Sequence, residues 1–136
     1  MSGLAESINA VPRFLVYFGL ALVLLALFVV IYVRVTPYRE LTLIRQGNIA
    51  AAVSLSGAIV GFVLPLASAV AHSVSLGDML AWSLVALGVQ VVVYAIASRV
   101  VSHFREAIEG GVVAPALLLA AIAVAVGVLN AACLTY

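Results

Sequence analysis

Apolar positions run along this chain in four long stretches, separated by three shorter polar connections. Phe14–Val33, Gly47–His72, Met79–Ser98 and Val112–Leu134 contain no Asp, Glu, Lys or Arg. A helix needs about 20 apolar residues to cross the hydrocarbon core of a bilayer, so each stretch predicts a transmembrane helix. The expected fold class is an all-α membrane protein, with four transmembrane helices built from two tandem helical hairpins. Pro12-Arg13 is expected to stop the first helix from extending into the polar lead, and Pro37 to end it. A cleavable signal peptide fits poorly, because the apolar core is long and Arg34-Val35-Thr36-Pro37 is no small-residue cleavage site. Asn48 stands where an N-cap of the second span belongs, and Asp78 is expected to cap the third.

Within the second stretch the small residues are ordered. Ala50, Ser54, Gly57, Gly61, Pro65 and Ser68 recur at spacings of three and four, which places them on one helical face. Gly57 and Gly61 form a Gly-x-x-x-Gly pair, and such a face lets a neighbouring helix approach closely. Ala50, Ser54, Gly57, Gly61 and Pro65 are therefore the candidate helix-packing residues. Ile49, Val53, Val60, Phe62 and Leu64 are expected to meet lipid or a larger neighbour. The first stretch is the bulkiest and the most lipid-facing by this reading. Its Tyr17, Phe18 and Tyr32 suit interfacial aromatic belts.

Composition agrees with the pattern. The chain is 67% hydrophobic and only 8% charged, and its mean hydropathy of +1.35 lies far from a soluble domain, where about a quarter of residues are charged. All 136 residues are expected to form a single integral membrane domain, with one hairpin over 13–72 and the other over 78–136. The six basic residues are all Arg and the net charge is +1, so no basic surface for nucleic acid exists. A single cysteine, Cys133, excludes an internal disulfide and is expected to be a buried packing residue.

Charge also predicts orientation. Arg34, Arg39, Arg45, Arg99 and Arg105 sit in the first and third connections, Arg13 in the lead, and none in the middle turn. The positive-inside rule then puts those two connections in the cytoplasm and both termini on the extracytoplasmic side.

The two hairpins look like copies. Tyr38-Arg39-Glu40 before the second span matches Phe104-Arg105-Glu106 before the fourth, and Ile44-Arg45-Gln46-Gly47 matches Ile108-Glu109-Gly110-Gly111 after a two-residue gap. Ala50, Ala52, Leu55 and Ile59 then align with Ala114, Ala116, Leu119 and Ala123. This relation predicts a parallel repeat about an axis along the membrane normal. A two-helix unit doubled in this way, with Gly47-Asn48-Ile49-Ala50-Ala51-Ala52 opening the second helix, resembles the bacterial family catalogued as domain of unknown function 350, whose tandem-copy members include the YjfL-type inner-membrane proteins. The likeness runs from Phe14 to Leu134, is strongest from Gly47 to Pro65, and is supported by Gly127-x-x-Asn130-Ala131-Ala132. It implies a multi-pass protein of the bacterial inner membrane and supplies no activity. The second copy has Val112 where the first has Asn48, so any role of that Asn is not duplicated.

Candidate chemistry is sparse. No metal-ligand spacing occurs, with His72 and His103 expected on opposite sides of the membrane, so no metal or cofactor is expected. No Lys supports a phosphate loop, and the Ser residues lack a His-acid pair at matching depth. Every Asp, Glu and Arg falls at a boundary or in a connection, which argues against an enzyme and against a proton relay. Gln90 in the third span and Asn130 in the fourth remain, as interhelical hydrogen-bonding groups or as pore-lining ones. Arg39, Glu40, Arg105 and Glu106 are expected to be exposed inner-face charges, or to pair between the hairpins. The reading favoured is a non-catalytic structural or assembly component of a membrane complex; the alternative is an oligomeric channel or small-solute or ion conduit. Expected partners are the lipid bilayer and either further copies of the chain or other envelope proteins.

Overall fold

The computed structural model describes residues 2–36, 39–101 and 103–134, and every element among them is helical. In chain order these are α1 (Ser2–Val35), α2 (Glu40–Arg45), α3 (Ile49–His72), α4 (Leu76–Val100), α5 (Phe104–Glu109) and α6 (Val113–Cys133). Four of them, α1, α3, α4 and α6, are long and apolar enough to cross a membrane. Pro37 and Tyr38, on which the helix break and part of the repeat signature were read, lie outside the described residues.

The first helix is longer than the sequence pattern suggests. Pro12 lies inside it instead of ending it. Pro removes only its own backbone donor, and Leu4, Ile8, Val11 and Leu15, at spacings of three and four, continue a single apolar face through it. At 34 residues α1 is about 51 Å long, well beyond a hydrocarbon core of about 30 Å.

The first and third polar connections are ordered into α2 and α5. In α5 the buried pair Phe104 and Ile108, four residues apart, forms one face, while Arg105, Glu106 and Glu109 point outward. Both short helices end in the same turn. The Gly47 and Gly111 N–H groups donate to the Ile44 and Ile108 carbonyls, and the Asn48 and Val112 N–H groups donate to the Leu43 and Ala107 carbonyls. This closure needs a left-handed residue, and glycine supplies it at φ 85° and 77°. Gly47 and Gly111, Ile44 and Ile108, and Asn48 and Val112 thus occupy equivalent places in the two copies.

That equivalence corrects the alignment of the repeat signature. Carried back to the helix starts without a gap, it pairs Glu40 with Phe104 and Arg39 with His103, the residues that open and precede the two short helices. Arg39-Glu40 and Arg105-Glu106 are therefore similar strings at different structural positions.

Between α3 and α4 the turn is only Ser73–Ser75. Its cap is also reassigned. Ser75 is the N-cap of α4, its hydroxyl accepting from the Asp78 N–H at 3.1 Å, while the Asp78 carboxylate accepts from the Val74 N–H at 3.1 Å. This is a reciprocal capping arrangement in which Asp78 closes the first turn from inside. The third span consequently starts at Leu76.

In the bundle α3 is central, packing against α1, α4 and α6, with α6 its principal partner. Because α3 and α6 both run from the α2/α5 end to the turn end, they lie parallel. Aromatic stacking holds α1 to the group through Phe28 on Phe62, with ring centroids 4.6 Å apart.

Candidate functional site

Three features were built from the residues expected to matter: the seam between α3 and α6, a polar cluster inside the bundle, and the charged α2/α5 end.

The seam is a backbone-to-backbone approach. A Cβ added to Gly57 would overlap Ala120, one added to Gly127 would overlap Gly61, and one added to Gly61 would fall 2.5 Å from the Ala123 carbonyl oxygen. Glycine is required at these points by distance rather than by conformation. The carbonyl of Gly61 is the one that Pro65, lacking an N–H, leaves without its i+4 donor. Gly127's missing Cβ would overlap that oxygen, so a Gly127 α-hydrogen faces it in a weak Cα–H···O contact. Polar groups fasten both ends of the seam. Asn48 accepts from the Ala51 N–H at 3.0 Å as the α3 cap, and its Nδ2 donates to the Ile108 carbonyl of α5 at 2.8 Å. Ser68 Oγ donates to the Ala131 carbonyl at 2.9 Å.

Ala50, Ser54, Gly57, Gly61 and Pro65 are all buried, while Ile49 and Val60 are exposed. Phe62 is buried against Phe28, the larger neighbour. The partner face on α6 is not the matching one. Ala121 and Ala125, equivalent to Gly57 and Gly61 in the repeat frame, are exposed, and Ala120, Ala123 and Gly127 make the approach. With α6 turned this way Cys133 is exposed, against the expectation of a buried packing residue.

The polar cluster brings together side chains from three helices. The Tyr32 hydroxyl of α1 and the Ser54 hydroxyl of α3 are 2.9 Å apart and hydrogen-bonded. Tyr94 of α4 meets Tyr32 edge-on at 4.8 Å between centroids. Gln90, one turn before Tyr94, is 3% exposed. Tyr32, Ser54, Gln90 and Tyr94 surround a cavity with about 10 Å³ of room for the centre of a water molecule, closed otherwise by Phe28, Ala58 and residues of α6. Tyr32 is thus a core residue and no part of an interfacial aromatic belt; at 2% exposure it never reaches lipid. Asn130 lies apart from the cluster lining, half-buried near the far end of α6, with its Nδ2 buried and making no hydrogen bond among the described residues.

At the α2/α5 end, Arg39, Arg105 and Glu106 are exposed, as expected, but Glu40 is wholly buried. The reason is the register: Glu40 fills the structural position of the buried Phe104. Arg105 pairs within its own helix, Nε to Glu109 Oε1 at 3.0 Å, and among the described residues makes no ion pair between the hairpins. Open clefts flank α5. One, of about 710 Å³, is lined by Thr36, Arg39, Glu40, Arg105 and Glu109. Another, of about 540 Å³, is lined by Arg99, His103, Arg105 and Glu106.

Sequence reasoning missed the inward role of Tyr32 and the second bond of Asn48. A signal existed for the first, since Leu24, Phe28 and Tyr32 recur at spacing four and all three are buried. For the second there was none, because the acceptor is a backbone carbonyl in the other hairpin.

No solved structure matches the chain. It is similar to the UPF0719 inner membrane protein YjfL of Escherichia coli strain K12, at 33% identity over 129 residues, which cover 95% of this chain and 98% of that protein. The protein of the same description from Escherichia coli O157:H7 is matched to the same extent. Residues 6–134 match the family described as Domain of Unknown Function (DUF350), and across almost its whole length the chain belongs to that family.

Proposed function

We propose that this chain is a non-catalytic structural or assembly component of a complex in the bacterial inner membrane, oriented with its α2/α5 end in the cytoplasm and both termini outside. One contrast carries the reading. The interior is closed, with α3 and α6 in backbone contact and a cavity no larger than one water, whereas the α2/α5 end offers open clefts rimmed by Arg39, Arg99, Arg105 and Glu106. A peripheral or cytoplasmic partner carrying charges of both signs suits that end. The inner-membrane location follows the relative's description, and five of the six Arg on the α2/α5 side support the orientation.

Reporter fusions after Cys133 are expected to read as extracytoplasmic, and reporters inserted after Arg45 or Glu109 as cytoplasmic. The reverse pattern would exchange the two faces. Photo-crosslinkers at Arg39 and Arg105 are then expected to capture a cytoplasmic-side partner that crosslinkers at Ser73 do not.

A conduit made by several copies is the second reading, favoured by the buried polar cluster around Gln90. Liposomes containing the purified protein are expected to show no selective flux. A reproducible, selective current abolished by Gln90→Leu or by a Gly61 substitution would replace the first reading with this one.

A further inference from the structure

We infer that the cavity between α1, α3, α4 and α6 is the binding site of a single ordered water, held by the Gln90 amide and the Tyr32–Ser54 hydroxyl pair. The observation that demands it is on Gln90. Its Nε2 is fully buried, and no group among the described residues accepts its hydrogen bonds. An amide nitrogen carries two donors, and leaving them unmet in a low-dielectric interior is strongly unfavourable. The same side chain lines the cavity, as do both members of the hydroxyl pair.

Size and chemistry choose the occupant. Room of about 10 Å³ for a water centre lies at the lower limit for one molecule, roughly 10–15 Å³, and excludes two. With the Gln90 amide rotated toward the cavity, a water there accepts from Nε2 and donates to the Tyr32 or Ser54 oxygen, each of which carries two lone pairs. A cation is a poor occupant. No charged group lines the cavity, and most of its wall is apolar: Phe28, Ala58, Leu119, Ile122 and Ala123. The water would tie α1, through Tyr32, to α4 and α3, in a bundle where α1 is otherwise held mainly by apolar contacts.

Gly61 is part of this arrangement. A Cβ at that position would come within 3.3 Å of Gln90 Oε1, so glycine leaves room for the amide to rotate.

The test uses isotopically labelled full-length protein in lipid bilayers and solid-state NMR transfer from water protons. The Gln90 side-chain amide is expected to be polarised from water several-fold faster than the Phe28 and Leu119 side chains facing the same cavity. Equal, slow transfer to all three would mean a dry cavity and overturn the inference. A soluble paramagnetic chelate is expected to leave the Gln90 signal intact. Its quenching would mean a continuous wet path in place of one enclosed water. In Gln90→Met, close in volume but without a donor, fast transfer to Ser54 is expected to disappear. If it persists, Gln90 is not the anchor and the assignment fails. Should that variant not fold, the wild-type comparison still decides.

Discussion

The two helices that open with equivalent turns, α3 and α6, meet very different surroundings. In its most apolar window α3 is 56% buried and α6 only 17%, although both are equally suited to a bilayer. Hydrophobicity therefore does not decide which helix becomes the centre of the bundle. The difference lies in where the smallest residues fall. Gly57 and Gly61 give α3 one deep groove; the equivalent positions of α6 are Ala121 and Ala125, and these face outward. Gly127 instead lets α6 offer a neighbouring face, with Ala120 and Ala123, to the groove of α3. In lipid, where apolar side chains gain nothing by leaving the bilayer, close approach of backbones is what remains to hold helices together. The copies have kept a common backbone plan and diverged in which face they use.

The largest effect should come from breaking that contrast directly. Gly61→Leu and Gly127→Leu are expected to destabilise the folded bundle by more than about 3 kcal/mol, beyond the usual range for an overfilled core, because backbone is in the way and cannot yield as a side chain does. Ala121→Leu and Ala125→Leu, on the exposed face of α6, are expected to change stability by less than about 0.5 kcal/mol. Thermal denaturation in detergent compares the four, and membrane insertion should be normal in all. If Ala125→Leu is as damaging as Gly61→Leu, that face of α6 is covered by another chain.

A smaller effect separates the two glutamates that look alike in sequence. Glu40 is wholly buried in the structural place of Phe104, while Glu106 stands on the outer face of α5. Glu40→Ala is expected to cost on the order of 1–3 kcal/mol through the polar and packing partners it abandons. Glu106→Ala should stay within about 0.5 kcal/mol. Equal responses would mean that the gapless register of the two copies is wrong.

What the residues could and could not announce follows from these cases. The four spans, the small face of α3 and its N-cap were legible because each is a local pattern: a run, a period, a cap. Glu40 was misread because aromatic-Arg-Glu recurs two residues out of structural register, and a string match carries no information about the turn geometry that sets the true frame. Tyr32 and Cys133 were misread for a related reason. Which side of an all-round apolar helix faces the bundle is decided by its partner, and a helix without a polar stripe does not say where that partner lies. The α2 and α5 helices escaped notice because six residues of mixed polarity show less than two turns of a period.

The smallest and most specific test exchanges the residues that follow the two glycines. Asn48 both caps α3 and reaches across to the Ile108 carbonyl, so Asn48→Val should lose a cap worth about 1 kcal/mol together with a hydrogen bond between the copies. The converse change, Val112→Asn, is expected to do less, and in the opposite direction. Val112 is already the N-cap residue of α6, in an extended conformation at φ −76° and ψ 115° close to that of Asn48, and makes no side-chain cap. It is exposed, so an Asn there displaces no packing and can accept from the first turn of α6. Pro115 removes the N–H three residues on, the donor equivalent to Ala51, so only the neighbouring Ala114 N–H is available. The gain is therefore expected to be below about 0.5 kcal/mol, under the usual worth of a cap. Melting temperatures of the two single variants and of the double exchange decide it. Because Pro115 limits the gain at Val112, only an exchange less stable than wild type by more than the roughly 1 kcal/mol of a lost cap locates the remainder in the bond of Asn48 to the other copy. If the shortfall is no larger than that of a lost cap, capping accounts for everything and the contact with Ile108 contributes nothing.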